Sequence, residues 1–252
     1  MSAASSKAAA KTERWPAWRG LIVIAVVLLG YVISSIFGAL GQAAVYFIAG
    51  RPAGFEDSTA GQFTFMAFTY GFFVLFVALI MRKLGVGRRD IGLTRPKWTD
   101  PFFALMILPV YYFSFAIVLA VVSRLVPGFD AEQSQNIGFQ SAQGSQLILV
   151  FLSLAVIPPI IEEIITRGYL YAGLKKAWPR WLAIIATSVI FAVGHLEFGG
   201  GGPLVWVAAI FTLVLSFMLI ALREWTGRIW APIFLHALVN GISFVGLFIA
   251  NR

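Results

Sequence analysis

Residues 20–49 read GLIVIAVVLLGYVISSIFGALGQAAVYFIA, a stretch without a single charged side chain. A helix needs about 20 mostly apolar residues to cross a hydrocarbon core roughly 30 Å thick, so this stretch is long enough to span a membrane. It is also far longer than the apolar core of a cleavable signal peptide, about 7–15 residues, and reads as a retained first span. Working outward, further apolar segments fall at about 63–81, 102–123, 145–165, 181–198, 203–222 and 229–250. The whole chain is 60% hydrophobic and 12% charged, against roughly 25% charged in an ordinary soluble domain. Backbone polar groups in lipid are satisfied only in helices or closed barrels, and these runs lack the alternation of barrel strands. The expected fold is therefore all-α, a polytopic transmembrane bundle of about seven spans. Gly30, Gly38 and Gly41 mark places where the first segment would kink, or break to give an eighth span.

Charge placement sets an expected orientation. With the N-terminus in the cytoplasm, the cytoplasmic connections hold Lys7, Lys11, Arg14 and Arg19, then Arg82, Lys83, Arg88, Arg89, Arg95 and Lys97. After the fourth segment come Arg167, Lys175, Lys176 and Arg180, and after the sixth Arg223 and Arg228. Only Arg51, Arg124 and Arg252 remain for the other side, the asymmetry expected of a cytoplasmic N-terminus. Residues 1–19 then form a basic cytoplasmic segment and 20–250 one transmembrane domain, in a multi-pass protein expected in a bacterial inner membrane. The basic loop 82–97 is a candidate for contact with anionic lipid.

The net charge of +8 does not point to nucleic acid, because the basic residues lie between apolar runs rather than in one patch with aromatics interleaved. Absence of cysteine excludes disulfides and thiolate chemistry. No G-x-S-x-G elbow occurs. The Gly199–Gly202 run before Pro203 reads as a turn, since it lacks the G-K-[ST] ending of a phosphate cradle. The stretch 127–144, rich in glutamine (Gln133, Gln135, Gln140, Gln143), reads as a loop on the non-cytoplasmic side.

Ionisable groups inside spans are costly and are functional candidates by default. Glu162 and Glu163 follow Pro158–Pro159 in the fourth segment, and the two histidines, His195 and His236, lie in later ones, with Asn240 beyond. At 1.5 Å per residue, Glu162 is ~20 Å from Lys175, His195 ~21 Å from Trp181, His236 ~12 Å from Arg228 and Asn240 ~18 Å from Arg228. Overlapping depths on three helices predict one polar pocket. Glu163 and Arg167 stand i,i+4 and can pair on one face, which leaves Glu162, about 100° around the helix, to face another target. His236 and Asn240 share a face in the same way, as do Phe191 and His195, so Phe191 can wall the pocket. Taken singly, each residue is as well read as an interhelical hydrogen-bond partner.

These residues carry a resemblance. Glu162-Glu163-Ile-Ile-Thr-Arg167, Phe191-Ala-Val-Gly-His195 and His236-Ala-Leu-Val-Asn240 resemble, in order, the E-E-x-x-x-R, F-x-x-x-H and H-x-x-x-N signatures of the CPBP family. These are the CAAX-protease and bacteriocin-processing intramembrane proteases, also called Abi. The likeness covers about 146–243, which becomes the expected catalytic core; the earlier spans are generic. Thr166 departs from the aromatic residue many members carry there. The resemblance implies an intramembrane endopeptidase acting on peptide or lipidated protein substrates, CAAX processing among them. Glu162 and His195 would activate water, His236 and Asn240 would stabilise the oxyanion, and Glu163, Arg167 and Phe191 would support them. The family label of metalloprotease leaves open one divalent metal such as Zn2+ on Glu162, His195 and His236. Two other readings remain at this level: a non-catalytic scaffold or immunity-type protein of the same fold, and a proton-coupled transporter. Nothing in the sequence sets the oligomeric state.

Overall fold

A computed structural model describes residues 14–133, 137–139, 141–196 and 204–250. Gln135, Gln140, the Gly199–Gly202 run, Lys7, Lys11 and Arg252 lie outside the described residues. The regular elements of the described residues are all helices, with α1 (Trp18–Ile48), α2 (Thr59–Lys83) and α3 (Thr99–Leu125) first. A long helical run, α4 (Gln146–Ala177), follows. The last three are α5 (Arg180–Val193), α6 (Trp206–Thr226) and α7 (Trp230–Ala250). Six of these are long and apolar enough to cross a membrane, and α5 is a shorter apolar helix of 14 residues. The expectation of about seven helical elements holds, in a multi-pass integral membrane protein.

The boundaries differ from the hydropathy reading in three places. The first segment is one continuous helix of 31 residues, so it is not divided into an eighth span. Its glycines serve close packing instead. A Cβ on Gly38 would lie 2.0 Å from Thr69 Oγ1, and one on Gly41 2.4 Å from the Phe68 ring. Small residues at such a crossing let helix backbones approach, as is common between membrane helices. The fourth segment does not end near residue 165 but continues to Ala177. Arg167, counted above among loop charges, is therefore inside a helix and fully buried. The fifth segment stops at Val193 rather than 198.

The fourth helix is irregular, for a covalent reason. Pro158 and Pro159 lack N–H groups, so carbonyls one turn earlier lose their helical partners. The run passes through a π-turn at Leu152–Val156 and a second at Ile164–Leu170, either side of the two glutamates. Such widened turns are frequent at functional sites.

One face of the bundle carries most of the basic residues and is tied together by polar contacts. The loop after α2 lies against it. Arg223 donates to the Asp90 carbonyl (2.8 Å), Ile229 N–H to Gly92 O (3.1 Å) and Trp230 Nε1 to Thr94 O (2.6 Å). Lys176 pairs with Asp90 (2.9 Å) and Arg228 with the buried Asp100 (2.6 Å). Trp178 Nε1 reaches the Ala17 carbonyl, anchoring the start of α1. The loop 82–97 is thus built into the bundle, with Val86 and Ile91 in the apolar core. At the opposite face glutamines do the tying. Gln42 donates to Glu56 O, Gln62 accepts from Phe139 N–H, and Gln133 bridges Leu204 O and Trp206 N–H.

Candidate active site

Helices α4, α5 and α7 bring Glu162, His195 and His236 together, as the overlapping depths predict. Glu162 Oε2 lies 3.9 Å from His195 Nε2 and 3.8 Å from His236 Nε2. Both histidines therefore flank the same carboxylate oxygen.

Each imidazole is oriented through its other nitrogen. At the end of α5 the His195 backbone N–H bonds to Ala192 O, and its own Nδ1 donates to Phe191 O at 2.8 Å. A carbonyl only accepts, so that contact places the proton on Nδ1 and turns Nε2 toward Glu162. His236 Nδ1 donates to Glu163 Oε1 at 2.9 Å, with the same consequence for its Nε2. The F-x-x-x-H spacing acts here through the phenylalanine backbone as well as its ring.

Glu163 and Arg167 form the expected i,i+4 pair at 2.9 Å, both fully buried. Glu163 Oε1 is thus shared between Arg167 and His236, which makes the pair the seat of an imidazole as well as a brace for the helix. Arg167 also donates to Thr166 Oγ1 (2.8 Å), and that hydroxyl donates to the Glu162 carbonyl (2.6 Å). Thr166, the position departing from the family pattern, is therefore part of this polar network. The Phe191 ring sits centrally, 4.1 Å from the Arg167 guanidinium carbon, 4.6 Å from the His195 ring and 5.8 Å from the His236 ring. It covers the face of a buried cation while shaping the pocket wall.

Asn240 is placed differently from its expected role. Its Nδ2 donates to the Leu154 carbonyl at 2.9 Å. The α-register and π-register partners of that carbonyl would be residues 158 and 159, both proline. One amide hydrogen of Asn240 therefore satisfies a carbonyl that the helix itself cannot. The second hydrogen remains to face the chamber that Asn240 lines.

One residue was missed by the sequence reading. Tyr70 of α2 donates its hydroxyl hydrogen to Glu162 Oε1. The depth argument applied to the other polar residues would have flagged it, since Tyr70 stands ~18 Å along the helix from Arg82.

The donor set has the right chemistry for zinc, two imidazole nitrogens and a carboxylate. It does not converge: ligands at the usual ~2.0–2.2 Å from a tetrahedral ion lie about 3.3–3.6 Å apart, and these separations are longer, 3.8 and 3.9 Å. Glu162 Oε1 is already engaged by Tyr70. Among the described residues no group of three His, Asp or Glu side chains is placed to hold a metal ion.

The site lies at the bottom of a chamber of about 1040 Å³. Polar groups at its floor include Glu162, His195, His236 and Tyr70; aromatic and aliphatic side chains such as Phe65, Phe211 and Phe244 form the walls.

Comparison with known proteins bears out the family resemblance. Residues 144–242 match the family model described as type II CAAX prenyl endopeptidase Rce1-like, and all three motifs fall inside that match. A protein of Bacillus subtilis (strain 168) described as "Putative membrane peptidase YdiL" is 32% identical over 113 residues, 45% of this chain and 42% of that protein. The chain thus matches less than half the length of that curated relative. No solved structure matches the chain.

Proposed function

We propose, from the CPBP resemblance carried by residues 144–242, that the chain is an intramembrane endopeptidase that hydrolyses peptide bonds of membrane-associated substrates. The observation that carries this reading is the placement of Glu162 Oε2 within 4 Å of two imidazole Nε2 atoms, each imidazole held by a bond from its Nδ1. A water between these atoms can give one hydrogen to Glu162 Oε2 and the other to His195 Nε2, which turns its oxygen lone pairs away from both and toward the substrate carbonyl.

In this mechanism Glu162 takes the proton as the water oxygen attacks the carbonyl carbon of the substrate. General base catalysis of this kind is worth ~10²–10⁴ in rate. Glu162 passes that proton to the neighbouring Nε2 of His195, the more exposed of the two histidines, and His195 hands it to the leaving amine. His236, when protonated, donates from Nε2 to the tetrahedral oxyanion while Nδ1 stays on Glu163. The free amide hydrogen of Asn240 is the second donor. Two preorganised donors aimed at developing charge typically supply the largest share of such a barrier reduction. Tyr70 holds the Glu162 carboxylate in place, and Glu163, Arg167 and Phe191 position His236 and His195. No step passes through a metal, because the donor atoms do not converge on one position.

The charge asymmetry supports an N-terminus in the cytoplasm of a bacterial inner membrane. Among the described residues, all Lys and Arg but Arg51, Arg124 and the buried Arg167 belong to the polar-tied face, which would then be cytoplasmic.

The test is hydrolysis of a panel of bacterial membrane proteins and lipidated peptides by purified wild type, Glu162→Gln and His195→Ala. Cleavage by the wild type alone is expected, undiminished in chelator. Equal cleavage by all three removes these residues from the mechanism.

A further inference from the structure

The chamber above Glu162 has a direction. Besides the catalytic groups, its lining includes Gln42 near the end of α1, Glu56 in the connection that follows, Gln62 at the start of α2 and Gln133 after α3. Glu56 is exposed, so the chamber is continuous with the surface at that face. None of its lining residues comes from the 82–98, 175–181 or 223–230 segments that form the basic face. There Arg223 and Trp230 tie the loop 82–98 to α6 and α7, Lys176 ties it to α4, and Arg228 holds Asp100 at the start of α3. Below the glutamates, apolar packing closes the floor: Ile165 and Leu170 are fully buried in one core with Ile91, and Gly168 meets Ile91 and Ile229.

We infer that substrates reach Glu162 from the non-cytoplasmic face, as extended peptide segments presented on that side of the membrane rather than as lipid-modified termini of cytosolic proteins. The inference rests on the protease reading and on the orientation set by the charge asymmetry. The chamber geometry adds the side of entry and the form of the substrate. From the Ala250 end of α7 down to His236 is ~21 Å at 1.5 Å per residue. An extended chain of about six residues covers that depth at ~3.4 Å each. A folded domain does not enter so narrow a chamber, so the cleaved segment is one that can unwind. The lining contains no Lys or Arg.

The chain has no cysteine, so single-cysteine variants report access directly. Ser243→Cys and Met66→Cys place thiols on the chamber wall away from the catalytic groups, and Arg89→Cys marks the opposite face. Each is treated with a membrane-impermeant thiol reagent in right-side-out and in inverted vesicles. The expected result is labelling of both chamber thiols in right-side-out vesicles only, and of Arg89→Cys in inverted vesicles only. Two variants are used so that one misfolded protein does not decide the matter. Labelling of the chamber thiols only in inverted vesicles, labelling in neither, or labelling of Arg89→Cys from outside each overturns the inference. Hydrolysis is read separately in the same vesicles with the wild-type chain. Expected labelling without Glu162-dependent cleavage removes the protease reading and leaves the access geometry standing. Cleavage confined to peptides on the Arg89 side does the reverse.

Discussion

Asn240 Nδ2 lies 2.9 Å from the carbonyl oxygen of Leu154, across the contact between the last helix and the irregular fourth. Both residues that could close a helical hydrogen bond to that carbonyl, Pro158 and Pro159, lack an N–H. The third motif is thus fastened to the helix that bears the first, four residues before its prolines. A side chain expected as a catalytic donor is also a structural tie, and the two roles can be separated.

Removing that tie should cost stability in proportion to the orphaned carbonyl. Asn240→Ala is expected to lose about 1–2 kcal/mol. In a Pro158→Ala background, where residue 158 regains an N–H in α-register with the Leu154 carbonyl, the loss should shrink, a coupling of at least ~0.5 kcal/mol. Thermal unfolding of the four proteins in detergent measures it. Zero coupling would mean that the Asn240 amide and the residue 158 N–H do not compete for the Leu154 carbonyl.

Tyr70→Phe removes the one hydroxyl that holds Glu162 Oε1 without emptying the space its ring fills. The loss of one neutral-to-charged hydrogen bond, about 1.5–3 kcal/mol, should appear mainly in kcat, with KM little changed. Protein yield and unfolding temperature should stay near wild type. Unaltered kcat would sever Tyr70 from the reaction.

The Glu163–Arg167 pair is fully buried, so breaking it from one side leaves a charge without a partner. Glu163→Ala should destabilise by ~3–5 kcal/mol and release His236 as well. Glu163→Gln keeps an acceptor for both Arg167 and His236 and should recover much of that stability. The comparison is made by detergent-melt midpoints; equal midpoints for the two variants would falsify the shared-acceptor arrangement.

Phe191→Leu keeps an apolar wall but removes the ring under the Arg167 guanidinium. The His195 anchor is the Phe191 backbone carbonyl and survives the change. A loss of ~0.5–2 kcal/mol in stability is expected, with the rate falling less than for His195→Ala. A rate loss equal to that of His195→Ala would show that the ring, not the carbonyl, orients the imidazole.

Outside the membrane spans, Asp90 links the loop 82–98 to Lys176. Partial burial pushes its carboxyl up, but the Lys176 bond and the Gly87 N–H outweigh this and hold it below the ordinary carboxylate range. A carboxylate lowered in the folded state stabilises above its unfolded value, ~3.9 for aspartate. That contribution disappears as pH falls through the lowered folded value. Asp90→Asn should therefore unfold more readily than wild type near neutrality, and the difference should close in acid. A difference that is constant with pH excludes the ion pair as its source.

Composition and hydropathy alone determined that this is a helical membrane protein, because burying so many apolar residues in water is not feasible and lipid admits few backbone solutions. Depth arguments on Glu162, His195 and His236 also held, since rise per residue is fixed by helix geometry. What hydropathy lacks is azimuth. It could not tell that Gly38 and Gly41 pack against α2 rather than divide α1, because a gap-filling glycine and a helix-breaking one have the same local sequence. It could not bring Tyr70 to Glu162, 92 positions apart, or seat His236 Nδ1 on Glu163. Those contacts are set by how each helix is rotated when side chains interlock, a property of the assembled bundle. The prolines were visible in the sequence, but the amide that answers the Leu154 carbonyl comes from 86 residues away. Only packing decided which side chain would reach it.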